Sequence, residues 1–132
     1  MVQKEVIAPS GLGEPIGPFV RGIRSGNVVA ISGTSALSHV EGPLESREIP
    51  GDFESQARLT FNNLEVALQA ADLGWEEVIK MMVIVKRRED YARMNAIRKE
   101  FFEDIPMAST TFVAELIRKD MLIEVDVWAV AP

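Results

Sequence analysis

The chain has 132 residues, a length that suits a single domain with one hydrophobic core, spanning residues 1–132. Hydrophobic residues make up 47% and charged residues 26%, as in ordinary globular proteins. The 20 acidic and 14 basic residues give a net charge of −6, which disfavours nucleic acid as a partner because that affinity depends on basic groups at phosphates.

Three absences narrow the expected cellular setting. The chain has no cysteine, which excludes disulfides, thiol nucleophiles and thiolate metal ligands. Uninterrupted apolar runs such as Met81–Val85 are far shorter than the roughly 20 residues of a membrane span. The first residues lack the apolar segment of a secretion signal. We therefore expect a cytoplasmic protein with no membrane partner.

The first half of the chain predicts a strand, a loop and a helix, in that order. Val28–Ile31 is a short β-branched run between two glycines and predicts a buried strand. Ser38–Gly51 holds two glycines and two prolines and predicts a loop. From Asp52 the apolar residues recur at steps of three and four, which predicts a helix of about six turns that ends before Gly74. Its inward positions are Phe53, Ala57, Phe61, Leu64, Leu68 and Ala71.

The second half predicts three strands and one helix. Ile79–Val85 predicts a strand buried on both faces, and Glu89–Phe102 predicts a second helix. The inward positions of this helix are Tyr91, Met94, Ile97 and Phe101. Thr110–Leu116 and Leu122–Val130 predict the last two strands. This order favours an α+β sandwich with both helices on one face of the sheet.

The last predicted strand has two unlike faces, because alternate residues of a strand share a side. The two sets are Ile123, Val125, Val127 and Ala129 on one face, and Leu122, Glu124, Asp126, Trp128 and Val130 on the other. The second set is too apolar to be fully exposed to solvent and too acidic to form a hydrophobic core within one chain, which favours coverage by another subunit. The alternative is a single-sheet domain in which this face is exposed to solvent.

Glu124 and Asp126 form a candidate catalytic pair on that second face. Two residues along a strand place their carboxylates about 6–7 Å apart. Such a pair can divide into an acid and a base when the two environments differ, and it is also compatible with two surface acids. A metal site is disfavoured, because the lone His39 lies in the predicted loop and two acids alone bind a transition metal poorly.

Two further features are candidates for ligand contacts. Ile31–Ser35 ends a strand at Gly33, where the backbone N–H groups of Gly33, Thr34 and Ser35 could point at a ligand oxygen. Asn95 lies near the apolar face of the second helix. An amide there either braces a neighbouring loop or, less often, contacts a ligand.

Short motifs along nearly the whole chain resemble the RidA/YjgF family of imine/enamine deaminases, long labelled endoribonuclease L-PSP. Each motif is short, but their order and spacing together are specific. The motifs are Gly17-Pro18-Phe19, Ile31-Ser32-Gly33, Gly51-Asp52-Phe53 with Gln56, Asn63 and Leu64, Met94-Asn95 with Phe101-Phe102, Pro106 with Ser109, and Ile123-Glu124-Val125.

The resemblance implies a homotrimer of chorismate-mutase-like domains, with mixed sheets facing inward and ligand clefts between subunits. It also implies hydrolysis of reactive 2-imino or 2-enamino acids to 2-oxo acids and ammonia, without a cofactor. Glu124 would help to place the attacking water. The candidate substrate contacts are Phe19, Ser32, Gly33, Thr34, Asn95, Ala108, Ser109 and Thr110.

The chain departs from the family at two cleft positions. Ala108 stands where the family has an arginine that grips the substrate carboxylate, and Phe19 stands where it has a tyrosine. Loss of one partner of a buried charge pair costs about 2–5 kcal/mol, or roughly 30-fold to several-thousand-fold in affinity. We therefore expect a substrate other than a generic 2-imino acid. Arg21 shares the face of Phe19 on an extended chain and is either a replacement cation or an ordinary surface residue.

Three functions remain open for such a divergent member. A deaminase with changed specificity retains Glu124 and Asn95. A non-catalytic trimer that binds a small ligand or another protein explains the two altered cleft positions. A ribonuclease is weakened by the acidic net charge, by Ala108 and by the lone histidine in a loop.

Overall fold

Six strands form one mixed sheet in the computed structural model, which describes residues 2–132. The strands are β1 Glu5–Ile7, β2 Gly22–Ser25, β3 Val28–Thr34, β4 Val78–Val85, β5 Ala108–Val113 and β6 Ile123–Val130. The helices are α1 Phe53–Ala70 and α2 Tyr91–Phe102. The strand order is β1-β2-β3-β6-β4-β5, and all neighbours are antiparallel except β4 and β5, which are parallel.

One face of the sheet shares a single hydrophobic core with both helices. Burial alternates along β6, whose residues Ile123, Val125, Val127 and Ala129 point into this core. Met94 and Ile97 of α2 belong to the same buried cluster as α1. The predicted α+β architecture is therefore confirmed. Within residues 2–132, neither helix combines the length and apolar character that a membrane crossing needs.

The first helix follows its prediction closely. Asp52 caps it by accepting a hydrogen bond from the Ser55 N–H at 2.9 Å, which satisfies one of the free donors of the first turn. The predicted inward residues are all buried, and they are Phe53, Ala57, Phe61, Leu64, Leu68 and Ala71.

The second helix begins later than predicted. A 3₁₀ turn over Arg88–Asp90 precedes α2, so the regular helix starts at Tyr91. The prediction that Tyr91 points inward is wrong, since its side chain is 46% exposed at the end of the helix, where the core no longer covers it. Met94 and Ile97 are buried as predicted, and Phe101 packs partly buried against the core.

Three strand predictions need correction. β3 continues through Gly33 to Thr34, because a bulge accommodates the glycine within the strand. β4 is buried on one face only, since nothing within residues 2–132 covers the other face, on which Met82 is exposed. β5 starts at Ala108 and ends at Val113, so the predicted span of 110–116 lies too far along the chain.

The segment before β6 is held by Gln56, a fully buried residue of α1. Its Nε2 donates to the carbonyl oxygens of Pro50 at 2.7 Å and Asp120 at 2.8 Å, and its Oε1 accepts from the Leu122 N–H at 2.8 Å. Leu122 is consequently buried in the core, and its predicted place on the outer face is wrong. This amide sets the position from which β6, and with it Glu124, begins.

Candidate functional site

A pocket of about 230 Å³ lies between the end of β3, the start of β6 and three surrounding loops. Gly33 and Glu124 form its floor, and Arg21 and Arg47 contribute to its polar wall. Its apolar lining consists of Ile16, Phe19, Leu37, Leu44, Ile117 and Met121. A space of this size suits a small metabolite, because a water molecule occupies about 30 Å³.

The floor of the pocket is shaped by a β-bulge at Ser32 and Gly33. The register of β3 against β6 shifts between Ile31 and Thr34, so β3 has one residue more than its partner over this stretch. Ser32 Oγ donates to the Val20 carbonyl at 2.6 Å, and Thr34 Oγ1 donates to the Ser32 carbonyl at 2.8 Å. These two bonds hold the bulge in place.

A side chain at position 33 would displace the Glu124 carboxylate from its observed place. A Cβ built on Gly33 would overlap Oε1 of Glu124 and lie 3.1 Å from its Cδ. The carboxylate of Glu124 therefore rests directly on the backbone of the bulge, a close approach that a side chain would block.

Glu124 has an environment that favours its protonated form. Burial raises the pKa of the Glu124 carboxyl, and the negative charge of Asp126 on the same strand raises that pKa further. Burial also raises the pKa of Asp126. A carboxyl whose pKa moves toward neutral pH can both accept and return a proton during a reaction.

Arg21 forms one part of the polar wall, and its side chain links the loop around Gly13 to the loop around Ser38. Its Nε and Nη2 donate to the Gly13 carbonyl at 3.0 and 2.9 Å, and Nη2 also contacts the Ser38 carbonyl at 3.2 Å. The residue is only 8% exposed, so the alternative that Arg21 is an ordinary surface residue is wrong.

Arg47 forms the adjoining part of the wall. Its three guanidinium nitrogens donate to three carbonyl oxygens, those of Gly42 at 2.8 Å, Leu37 at 3.3 Å and Glu14 at 2.6 Å. The residue is 3% exposed. Arg47 lies in a loop rich in glycine and proline, where no periodic pattern indicates burial, so it is a site residue that the sequence analysis does not predict.

The structure brings several of the predicted site residues together. The 230 Å³ pocket is lined by four of them, Phe19, Arg21, Gly33 and Glu124. Two more, Ser32 and Thr34, flank Gly33 in the bulge. The N–H of Ser35, predicted to face a ligand, instead donates to Ser38 Oγ at 2.9 Å. That expectation is wrong for Ser35 because a local turn uses the donor.

The predicted residues of β5 and α2 lie elsewhere in the chain. Two strand spacings and four residues separate Ala108 from Glu124, which corresponds to about 16 Å. Thr110 Oγ1 accepts from Lys80 Nζ at 2.8 Å, and Ser109 Oγ accepts from Arg98 Nη1 at 2.8 Å. Asn95 Oδ1 is buried and has no hydrogen-bond partner among residues 2–132.

The pocket carries no recognisable metal centre. Over residues 2–132, no three histidine, aspartate or glutamate side chains come close enough together to hold a metal ion.

Comparison with known proteins places the chain in a family. The model of the family named Endoribonuclease L-PSP matches residues 11–131. A RutC family protein of Pyrococcus horikoshii is 32% identical over 123 residues, covering 93% of this chain and 94% of the relative. The 2-iminobutanoate/2-iminopropanoate deaminase of Escherichia coli K12 is 33% identical over 130 residues, covering 96% and 97%.

Solved structures agree with this assignment. The crystal structure of Escherichia coli TdcF with bound serine superposes with a TM-score of 0.85 at 28% identity, covering 97% of this chain and 99% of TdcF. The chain belongs to the Endoribonuclease L-PSP family, which is the RidA/YjgF family that its motifs resemble.

The raised pKa of Glu124 predicts a pH-dependent effect of Glu124→Gln on stability. The folded state disfavours the charged form, so Glu124 costs stability above its raised folded-state pKa. This cost disappears as the pH falls below the ordinary pKa of about 4.3 for glutamate. We expect Glu124→Gln to be more stable than the unaltered protein at pH 8, with the difference shrinking at pH 4, as measured by urea unfolding at fixed protein concentration.

The matched control is Glu115→Gln, which makes the same change at an exposed position and should leave the unfolding midpoint unaltered at both pH values. A Glu124→Gln variant that is less stable at pH 8, or that differs equally at both pH values, would contradict the assigned environment.

Proposed function

We propose that this protein is a hydrolytic deaminase of a small imine or enamine metabolite and that it works without a cofactor. The observation that carries the proposal is the carboxyl of Glu124, seated on the Gly33 bulge in a small pocket, with its pKa raised by burial. Support also comes from the similarity of nearly the whole chain to the 2-iminobutanoate/2-iminopropanoate deaminase.

In the proposed reaction, Glu124 moves a proton between water and the substrate nitrogen. The ionised carboxyl accepts a proton from a water molecule as that water attacks the carbon of a protonated C=N group, which gives a carbinolamine. The same proton then passes from Glu124 to nitrogen, the C–N bond breaks and ammonia leaves. The hydroxyl group passes its remaining proton to solvent water as the carbonyl product forms, and Glu124 is left ionised as at the start.

The altered residues indicate a changed substrate preference. Ala108 provides no guanidinium for a carboxylate, and Phe19 keeps an aromatic ring without a hydroxyl group. In our proposal the substrate therefore differs from a generic 2-imino acid in its size or in the place of its anionic group. The serine bound to TdcF supports a ligand of small-metabolite size in this family.

We also propose that the uncovered sheet face forms the interface of a homotrimer. Large apolar side chains are exposed there, namely Val28, Met82, Phe112, Trp128 and Val130. This face also contains Asp126, whose carboxylate would lie beside the interface. In such a trimer Asn95 and the start of β5, from Ala108 to Thr110, would approach the pocket of a neighbouring subunit as candidate cleft residues.

A non-catalytic binding role is the second candidate. The hydroxyls of Ser32 and Thr34 and the N–H of Ser35 are all committed to hydrogen bonds within the chain, which leaves fewer groups to polarise a substrate. The turnover assay below separates this role from catalysis.

We expect release of 2-oxo acid and ammonia above the spontaneous rate when imino acids of different chain length are generated in situ. Glu124→Gln should lower kcat by about 100-fold or more, because it removes the proton carrier. Gly33→Ala should give a comparable loss by displacing the carboxylate, although every catalytic group is still present. A coupled assay of product formation measures both effects.

Glu115→Gln again serves as the exposed control and should retain full activity. The deaminase proposal fails if no imino acid is hydrolysed above background, or if Glu124→Gln works as fast as the unaltered protein. The first of these results would favour the binding role.

The trimer predicts a mass in solution of about three times the 14.6 kDa of one chain. Trp128→Glu should shift the protein toward monomer, because it puts a charge among the exposed apolar side chains of this face. Tyr91→Glu makes the same change at an exposed aromatic residue on α2 and should leave the mass unaltered. Light scattering after size exclusion gives the mass, and a monomeric unaltered protein would refute the proposed interface.

A further inference from the structure

Arg21 and Arg47 are buried cations that form no ion pair within the described part of the chain. The ion pairs of the described chain, residues 2–132, join other arginines to aspartate or glutamate, and neither of these two takes part. Taking an unpaired charge out of water is costly, and two like charges near each other increase that cost. This cost argues against a purely structural role for the two arginines in joining the loops.

The surroundings offset only part of this positive charge. Carbonyl oxygens accept hydrogen bonds from both side chains, and the more distant carboxylates of Glu14 and Glu41 favour the charged form of Arg21. Burial is nevertheless the largest influence and lowers the pKa of Arg21, and the nearby charge of Arg47 lowers it further. The pocket wall thus retains positive charge that a bound anion would balance.

The unused donors of Arg21 identify the point of contact. Within residues 2–132, its four hydrogen bonds to carbonyl oxygens use Nε and Nη2, and none uses Nη1. All three nitrogens of Arg47 already donate to carbonyl oxygens, so Arg47 would act through its charge and by holding the loop. Both residues line the pocket whose floor carries Glu124.

We infer that Arg21 and Arg47 form a carboxylate-binding wall, with Arg21 Nη1 as the contacting donor and Arg47 as a positioning residue. This inference rests on the proposed function and sharpens it, because it names the substrate as a small imine that carries a carboxylate. The carboxylate would bind to the chain that also supplies Glu124, and Ala108 would then no longer need to be an arginine.

A carboxylate fits this wall and this pocket. A guanidinium donates to carboxylate oxygens in a charge-assisted bond. The apolar side chains of Phe19, Ile117 and Met121 can cover the carbon chain of the ligand. Glu124 would meanwhile face the C=N carbon at the floor of the same pocket.

Binding of stable product analogues tests the inference without relying on turnover. The probes are 2-oxobutanoate and 4-oxopentanoate, whose carboxylates lie next to the carbonyl group or two carbons from it, together with their neutral amides. Dissociation constants are measured by NMR titration of the unaltered protein, Arg21→Gln, Arg47→Gln and Arg118→Gln. Arg118 is the matched control, because it also ties this loop through the Leu44 and Arg47 carbonyls yet pairs with Asp120 and does not line the pocket.

We expect at least one acid to bind about tenfold or more tightly than its amide. Arg21→Gln should weaken binding of that acid by about 30-fold or more. It should leave the weaker amide nearly unaffected. Arg47→Gln should weaken the acid in the same direction, and Arg118→Gln should change acid and amide alike.

The inference is overturned if both acids bind no better than their amides, if neither acid binds, or if Arg21→Gln binds both acids as well as the unaltered protein. Comparing the dissociation constants of each acid and its amide for the unaltered protein tests the carboxylate preference even if a variant does not fold. If the protein turns over substrate in a Glu124-dependent way but shows no preference for acids over amides, the carboxylate-binding wall is refuted and the deaminase proposal stands. If the acids bind in an arginine-dependent way but no imino acid is turned over, the deaminase proposal is refuted and the wall stands.

Discussion

The contact between the Glu124 carboxylate and the backbone of Gly33 is the constraint on which the pocket depends. The bulge in β3 opens the strand where β6 delivers its carboxyl, and a residue with a side chain would occupy the same space. The hydroxyl groups of Ser32 and Thr34 donate hydrogen bonds to backbone carbonyls at this bulge. The sequence analysis treats Ser32, Gly33 and Thr34 as separate ligand contacts. In the structure all three belong to the bulge on which the Glu124 carboxylate rests.

The loops above this floor are organised by arginines that donate to carbonyl oxygens. Arg21 joins the chain around Gly13 to the segment near Ser38, and Arg47 joins the same segment to Glu14. These hydrogen bonds join loop segments that lie far apart in sequence. The consequence is a positive wall opposite an acidic floor, an arrangement suited to a ligand with an anionic end and an electrophilic carbon.

Sequence patterns predicted the parts of the fold that repeat with a regular period. The spacing of apolar residues in α1 and the alternation in β6 gave the correct inward faces, because burial on one side imposes those periods directly. Positions at the ends of elements were less accurate, as Tyr91 shows. Its spacing fits the helix, but exposure there depends on how far the neighbouring core extends.

The candidate site was only partly predictable for a similar reason. Phe19, Gly33 and Glu124 lie in motifs that resemble the family, and the structure gathers them in one pocket. Arg47 lies in an irregular loop, where no period indicates burial, and its position depends on contacts with residues far away in sequence. The separation of Ala108 from Glu124 follows from the strand order, which residue types alone do not determine.

A crystal structure of the protein with bound 2-oxobutanoate would test the central claim most directly, which is that one chain supplies both the carboxyl and the cationic wall of the site. The account predicts that the ligand carboxylate lies within hydrogen-bond distance of Arg21 Nη1 and that the carbonyl carbon faces Glu124 above Gly33. A ligand bound with its carboxylate beside Ala108, or outside this pocket, would contradict it.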